Sequence, residues 1–130
     1  MFKIVEVYPT LPVVDLQRAK AFYEDKLGLK AVDEDALGGA TLQGEAGTKL
    51  YIYQRAATKA DHTAAALVVK DFDAAMTDLR SKGVTFEEYD MPNLKTVDGV
   101  ATFEGNGTEY KIAFFKDTEG NILGMSEYGV

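Results

Sequence analysis

The sequence has no cysteine, and that one absence removes disulfides, thiolate metal sites and cysteine nucleophiles together. It has a single histidine, His62, which limits general-base schemes, and no serine sits in a nucleophile elbow with a triad-like spacing. Positive charge is scarce. Against 21 Asp and Glu stand 14 Lys and Arg, a net charge of −7, whereas binding nucleic-acid phosphates needs a basic face. No apolar run approaches the roughly 18 residues of a membrane span. Residues 1–7 lack the long apolar core of a signal peptide. The expectation is a cytoplasmic, soluble protein with neither nucleic acid nor membrane as partner.

What is present is ample apolar material: 46% hydrophobic and 11% aromatic residues in 130, enough for one folded domain. One segment pattern occurs twice. Asp15, an amphipathic stretch with Leu16, Ala19, Phe22, Tyr23 and Leu27, and then Gly28 read as a capped helix with a glycine stop. Asp71, the stripe Phe72, Ala75, Met76 and Leu79, and then Gly83 read the same way. The aspartates stand 56 positions apart and the glycines 55.

Strand composition surrounds each helix. A strand is expected within residues 2–14, bent or at an edge because of Pro9 and Pro12. Further strands are expected at 29–33, 40–43 and 49–54. The second half repeats the order with strands at 62–69, 84–89, 110–116 and 121–127. Residues 55–61 are small and polar and read as a linker. The predicted fold class is therefore α+β: two βαβββ modules, 1–54 and 62–130, form a curved mixed sheet, a cup with helices on its outer face. Residues 91–107 exceed the repeat and read as a functional loop, or a hairpin closing over the site. Alternation puts Leu50 and Ile52 under the first helix and Lys49, Tyr51 and Tyr53 on the opposite, concave face. In the second module Leu123 and Met125 oppose Gly124 and Ser126.

The order of pieces resembles the vicinal oxygen chelate superfamily, the group of glyoxalase I, extradiol dioxygenases and bleomycin-resistance proteins. The resemblance is carried by Leu11-Pro12-Val13-Val14-Asp15-Leu16, Ala21-Phe22-Tyr23 and Leu27-Gly28-Leu29, by Asp71-Phe72-Asp73-Ala74-Ala75 with Ser81-Lys82-Gly83-Val84, and by the segment from Phe114 to Leu123. It implies one vicinal-oxygen-chelate domain over the whole chain. In metal enzymes of the family, four strands each give one ligand to a divalent ion. Seven residues before each helix-capping aspartate, those positions fall on Tyr8 and Ala64; on the last strands they fall near Tyr51 and at Gly124. Alanine and glycine cannot coordinate through a side chain, and phenols are uncommon ligands for such ions. No metal and no other cofactor is therefore expected.

Tyr8, Tyr51 and Tyr53 would instead make an aromatic slot, bordered by Phe115 or Phe114, with Glu6, His62 and Ser126 as polar contacts. The expected function is binding and sequestration of an aromatic small molecule, such as an antibiotic or natural product, without catalysis. The resemblance to bleomycin-resistance proteins also implies a homodimer. The competing expectation is an enzyme: a lyase, isomerase or dioxygenase with a relocated metal at Glu6 and His62, or metal-free acid–base chemistry on Glu6. The acidic runs Asp33-Glu34-Asp35 and Glu87-Glu88 read as solvated charge.

Overall fold

The computed structural model describes residues 1–127. Its backbone falls into two compact units, Met1–Lys59 and Ala60–Val130. The fold is α+β, with one mixed sheet in each unit.

In the first unit, β1 (Thr10–Val13) leads into helix α1 (Leu16–Ala21), which continues as a π-helical turn over Phe22–Lys26. Strands β2 (Lys30–Glu34), β3 (Gly39–Gln43) and β4 (Lys49–Gln54) follow, giving the sheet order β1-β4-β3-β2. β1 runs parallel to β4 and the other pairings are antiparallel. The Asp15 carboxylate accepts from the Arg18 amide at 3.1 Å, satisfying a donor that the first helical turn would otherwise leave without a partner. Leu11, Ile52 and Ala40 stand in one row across three strands, and with Leu16, Ala19, Phe22 and Tyr23 they form the core. Helix α1 covers this face, packed on β3 and β4.

The expected first strand is shorter than its composition predicts. Residues 1–9 belong to no strand, and Phe2, Ile4, Val5 and Val7 are exposed. A strand needs a neighbour, and the parallel ladder with β4 begins only at Thr10. Upstream of it, the Pro9 carbonyl accepts from the Tyr51 amide at 3.0 Å.

In the second unit, β5 (Thr63–Val69) precedes helix α2 (Phe72–Ser81). Asp71 caps α2 by accepting from the Ala74 amide at 3.0 Å, the same device as Asp15. Strands β6 (Asp90–Met91), β7 (Leu94–Val97), β8 (Val100–Gly105), β9 (Thr108–Lys116) and β10 (Ile122–Glu127) complete a sheet of order β5-β10-β9-β8-β7-β6. β5 is parallel to β10, as β1 is to β4. Phe72, Met76 and Leu79 are buried together with Phe115, Leu123 and Met125. The Phe72 amide donates to the Glu127 carboxylate at 3.4 Å, and Asp73 pairs with Lys111 at 3.7 Å, so α2 lies over the Lys111–Phe115–Met125 face.

One expectation fails here for a local reason, and a second is narrowed to one of its two forms. Residues 84–89 are not a strand: they touch β9 through one antiparallel bridge, Phe86 to Phe115, and one bond from the Glu87 amide to the Phe114 carbonyl at 2.7 Å. Residues 91–107 form hairpins of the sheet, the second of the two forms expected for them. Asp98-Gly99 joins β7 to β8 and Asn106-Gly107 joins β8 to β9, all four residues having positive φ (52°, 79°, 54° and 76°). Paired positive φ is what a two-residue hairpin turn demands of its centre.

The helices differ by one residue in length. From Asp15 to Gly28 is 13 positions and from Asp71 to Gly83 is 12. The extra residue is absorbed by the π-helical turn. The amide that closes the first helix, Leu29, reaches back six residues to Tyr23, whereas Val84 reaches back five to Leu79.

Candidate functional site

Each unit leaves one face of its sheet uncovered by its own helix. In the first unit Lys49, Tyr51 and Tyr53 alternate with the buried Leu50 and Ile52, so all three share the open face. Thr10, Tyr51, Thr41 and Asp33 form one row across that face. The rings of Tyr51 and Tyr53 lie parallel, 14° apart with centroids at 6.3 Å. The Tyr51 hydroxyl donates to the Asp35 carboxylate at 2.6 Å. It reaches there by crossing Gly39, where a Cβ would overlap the phenol. Asp35 is itself held by the Leu37 and Gly39 amides at 2.9 and 3.1 Å.

This bond holds the Asp35 carboxyl below its ordinary range, with the two amides assisting against partial burial. The same bond is the main reason that the Tyr51 phenol is raised, followed by desolvation and the negative charge of Asp35. The two groups act on stability with opposite signs. Asp35, depressed in the fold, stabilises above its unfolded pKa, and that contribution is lost as pH falls through the folded value. Tyr51, raised in the fold, contributes fully below its unfolded pKa and loses this as pH rises through the folded value.

The other expected residues of this unit lie upstream of β1. Tyr8 is 46% exposed, and Glu6 pairs with Lys49 at 3.6 Å. That exposed ion pair replaces the buried setting beside tyrosines that acid–base work by Glu6 would need.

In the second unit the open face carries the rows Val68–Ser126–Ile112–Ala101 and Ala66–Gly124–Phe114. Phe103 and Tyr110 stand opposite each other at the end of β8 and β9. A hollow of about 260 Å³ opens there, lined by Phe103, Tyr110, Ile112 and Ser126 together with Lys111 and Glu127. Ser126 is thus on the expected face. Phe115 is not. It is 0% exposed, its ring meets Phe86 edge-on at 5.7 Å, and it lies under α2 in the core. The residue on the open face is Phe114, whose ring meets Tyr89 edge-on at 5.4 Å. Strand alternation from Gly124 decides between the two expected residues, because Gly124 pairs with Phe114 and Leu123 with Phe115. Burial raises the Tyr89 phenol, and the nearby Glu87 adds to this. His62 is exposed just before β5, its Nδ1 3.3 Å from the Thr63 carbonyl oxygen.

A larger hollow, about 500 Å³, lies at the C-terminal end of α2 between Arg80, Phe86, Glu88 and Gly99. Its polar groups serve the fold. The Arg80 guanidinium lies over the Phe86 ring and donates to the Asp98 carbonyl, and Glu88 accepts from the Gly99 amide at 2.7 Å.

The residue types at the positions that the family resemblance assigns to metal ligands are poor donors for a divalent ion. Of the four positions, Ala64 and Gly124 offer no donor, Tyr51 is committed to Asp35, and Tyr8 is a phenol. Among the described residues no three His, Cys, Asp or Glu side chains come together.

The fold recurs in solved structures. A superfamily member from Sphaerobacter thermophilus DSM 20745 is 22% identical over 95% of this chain and 98% of its own, with a TM-score of 0.71. The glyoxalase/bleomycin resistance protein/dioxygenase from Alicyclobacillus acidocaldarius is 22% identical over 95% and 91%, with a TM-score of 0.67. TnmS3, an antibiotic binding protein from Streptomyces sp. CB03234, is 23% identical over 98% of both chains, with a TM-score of 0.66. At such identities the likeness is one of fold. No curated protein matches the chain. The sequence model of the Glyoxalase/Bleomycin resistance protein/Dioxygenase superfamily matches residues 5–125, nearly the whole sequence, and the chain belongs to that superfamily.

Proposed function

We propose that this protein binds a planar aromatic small molecule, of the antibiotic or natural-product class, and sequesters it without a metal and without changing it. The observation that carries this is the Tyr51–Tyr53 pair, held parallel on a half-exposed sheet face where a family metal ligand would otherwise project. Tyrosines offer broad apolar faces at little entropic cost, and a fixed pair loses less on binding than a mobile one. On the first unit the proposed surface is Tyr51 and Tyr53, with Tyr8 and Glu6 as further contacts. The open face of the second unit, taken by itself, offers Phe114 rather than Phe115, and Ser126, with His62 as a polar contact. The fold of an antibiotic binding protein, TnmS3, is compatible with this use. In this reading the protein works as a cytoplasmic homodimer.

A thermal-shift screen against planar aromatic antibiotics tests the reading. A ligand at a hundred times its Kd stabilises by about 2.7 kcal/mol, so a true ligand raises Tm by several degrees. Tyr51→Ala and Tyr53→Ala are expected to remove most of that rise. Hits that bind both variants as tightly as the parent would show that the tyrosines are not the surface used.

A further inference from the structure

Tyr51 could rotate freely on an open sheet face, yet three features confine it. Its hydroxyl is tied at 2.6 Å to Asp35, and Asp35 is tied in turn by two backbone amides of its own hairpin. The phenol occupies the space that any side chain at Gly39 would fill. Gly39 pairs directly with Tyr53, so the Tyr51 ring crosses β3 diagonally and comes to rest beside Tyr53. We propose that Asp35 and Gly39 are positioning residues which hold Tyr51 parallel to Tyr53, and that Asp35 makes this platform selective for planar cations over planar anions. The proposal deepens the binding function above and rests on it.

The charges around Tyr51 support the choice of sign, while Arg55, two residues beyond Tyr53, donates to the Ala56 carbonyl at 3.1 Å. Lys49, two residues before Tyr51 on β4, is paired with Glu6 at 3.6 Å. Lys30 stands in the Lys49 row, through Gln43. Two carboxylates share the face with Tyr51: Asp35 at the phenol, and Asp33 two strands away in the Tyr51 row. Glu34, between them, is engaged by Lys20 at 3.3 Å and Gln17 at 2.9 Å. A phenol that donates to a carboxylate carries more electron density on its ring, which strengthens the attraction of the face for a cation. An anion meets both the ring quadrupole and two carboxylates, and both repel it.

Two measurements on the full chain test this. The first needs no ligand: alkaline titration of tyrosinate absorbance, with Tyr51→Phe identifying the Tyr51 component. That component should titrate above the ordinary tyrosine range in the parent and return to it in Asp35→Asn and Gly39→Ala. The second compares two three-ring probes by fluorescence, cationic proflavine and anionic anthracene carboxylate. The parent should prefer proflavine by about tenfold, the worth of a partly desolvated cation–π contact. Asp35→Asn, nearly isosteric on a partly exposed hairpin, should reduce the preference to about threefold or less. Gly39→Ala should weaken both probes. An unchanged Tyr51 titration in both variants, or an undiminished preference in Asp35→Asn, overturns the proposal. Equal binding of both probes to the parent, lost in Tyr51→Ala, also overturns it while leaving the aromatic platform standing. Binding of neither probe to the parent removes both ideas.

Discussion

Phe114 and Phe115 are neighbours in sequence with opposite surroundings, and they separate folding from binding at the scale of one side chain. Phe115 is fully buried against Phe86 beneath α2, whereas Phe114 stands on the open face beside Tyr89 and Gly124. Phe115→Ala leaves a cavity in the core and should cost about 3–5 kcal/mol in urea unfolding. Phe114→Ala should cost well under half of that and weaken ligand binding instead. Equal losses of stability in the two variants would contradict the face assignment. The residue-level features of the site were legible to different degrees. Alternation along β4 was enough to place Tyr51 and Tyr53 together, because Leu50 and Ile52 fix the parity. Asp35 was not legible: within Asp33-Glu34-Asp35 nothing distinguishes a hairpin carboxylate that receives a phenol from one facing water. The only local hint is the glycine pair that follows it.

At the scale of elements, the helices are specified mostly by their ends. Asp71 accepts from the Ala74 amide, and positive φ at Gly83 lets the chain leave the helix while Val84 closes back on Leu79. Asp71→Ala should therefore lower stability by about 1 kcal/mol, read from the urea midpoint at unchanged slope. A loss near zero would mean that packing alone holds the first turn. The same end signals made both helices readable from the sequence, as Leu-Tyr-Ile alternation made β4. Strands whose partners are distant were harder. Residues 2–9 have strand composition but no pairing neighbour within their unit, and residues 84–89 meet β9 at only one bridge. In 91–107 the hairpin was legible in Asp-Gly and Asn-Gly, whose turn chemistry decides between the loop and the hairpin expected there.

Across the whole molecule, the fold is shared far more closely than the sequence. The solved structures described above match it with TM-scores of 0.66 to 0.71 at 22 to 23% identity. The positions that the resemblance assigns to metal ligands hold two tyrosines, an alanine and a glycine. A fold maintained by packing and turn geometry is indifferent to what projects from its open faces, which is why the family name alone does not give the chemistry. The homodimer proposed above has a direct physical readout. Sedimentation of the full chain at micromolar concentration should give twice the mass of one 130-residue chain, and a purely monomeric species would remove that part of the reading.

The π-helical turn after α1 bears on how the two halves can be laid against each other. A one-residue difference between repeats would ordinarily rotate everything downstream by about 100° around the helix axis, since α-helices turn once every 3.6 residues. Here the surplus is taken up between Phe22 and Lys26, before the chain leaves for β2. Upstream of the capping aspartates the two counts agree: Leu11 and Leu67, each four residues before its aspartate, pair with Ile52 and Met125 in the two parallel ladders. Downstream, subtracting one position from the first half brings Gly28 onto Gly83, and beyond the glycines the second half is longer by its extra strands. The turn thus works as an expansion joint: it takes up one residue and still lets the chain leave the helix at a glycine with positive φ, as the second half does.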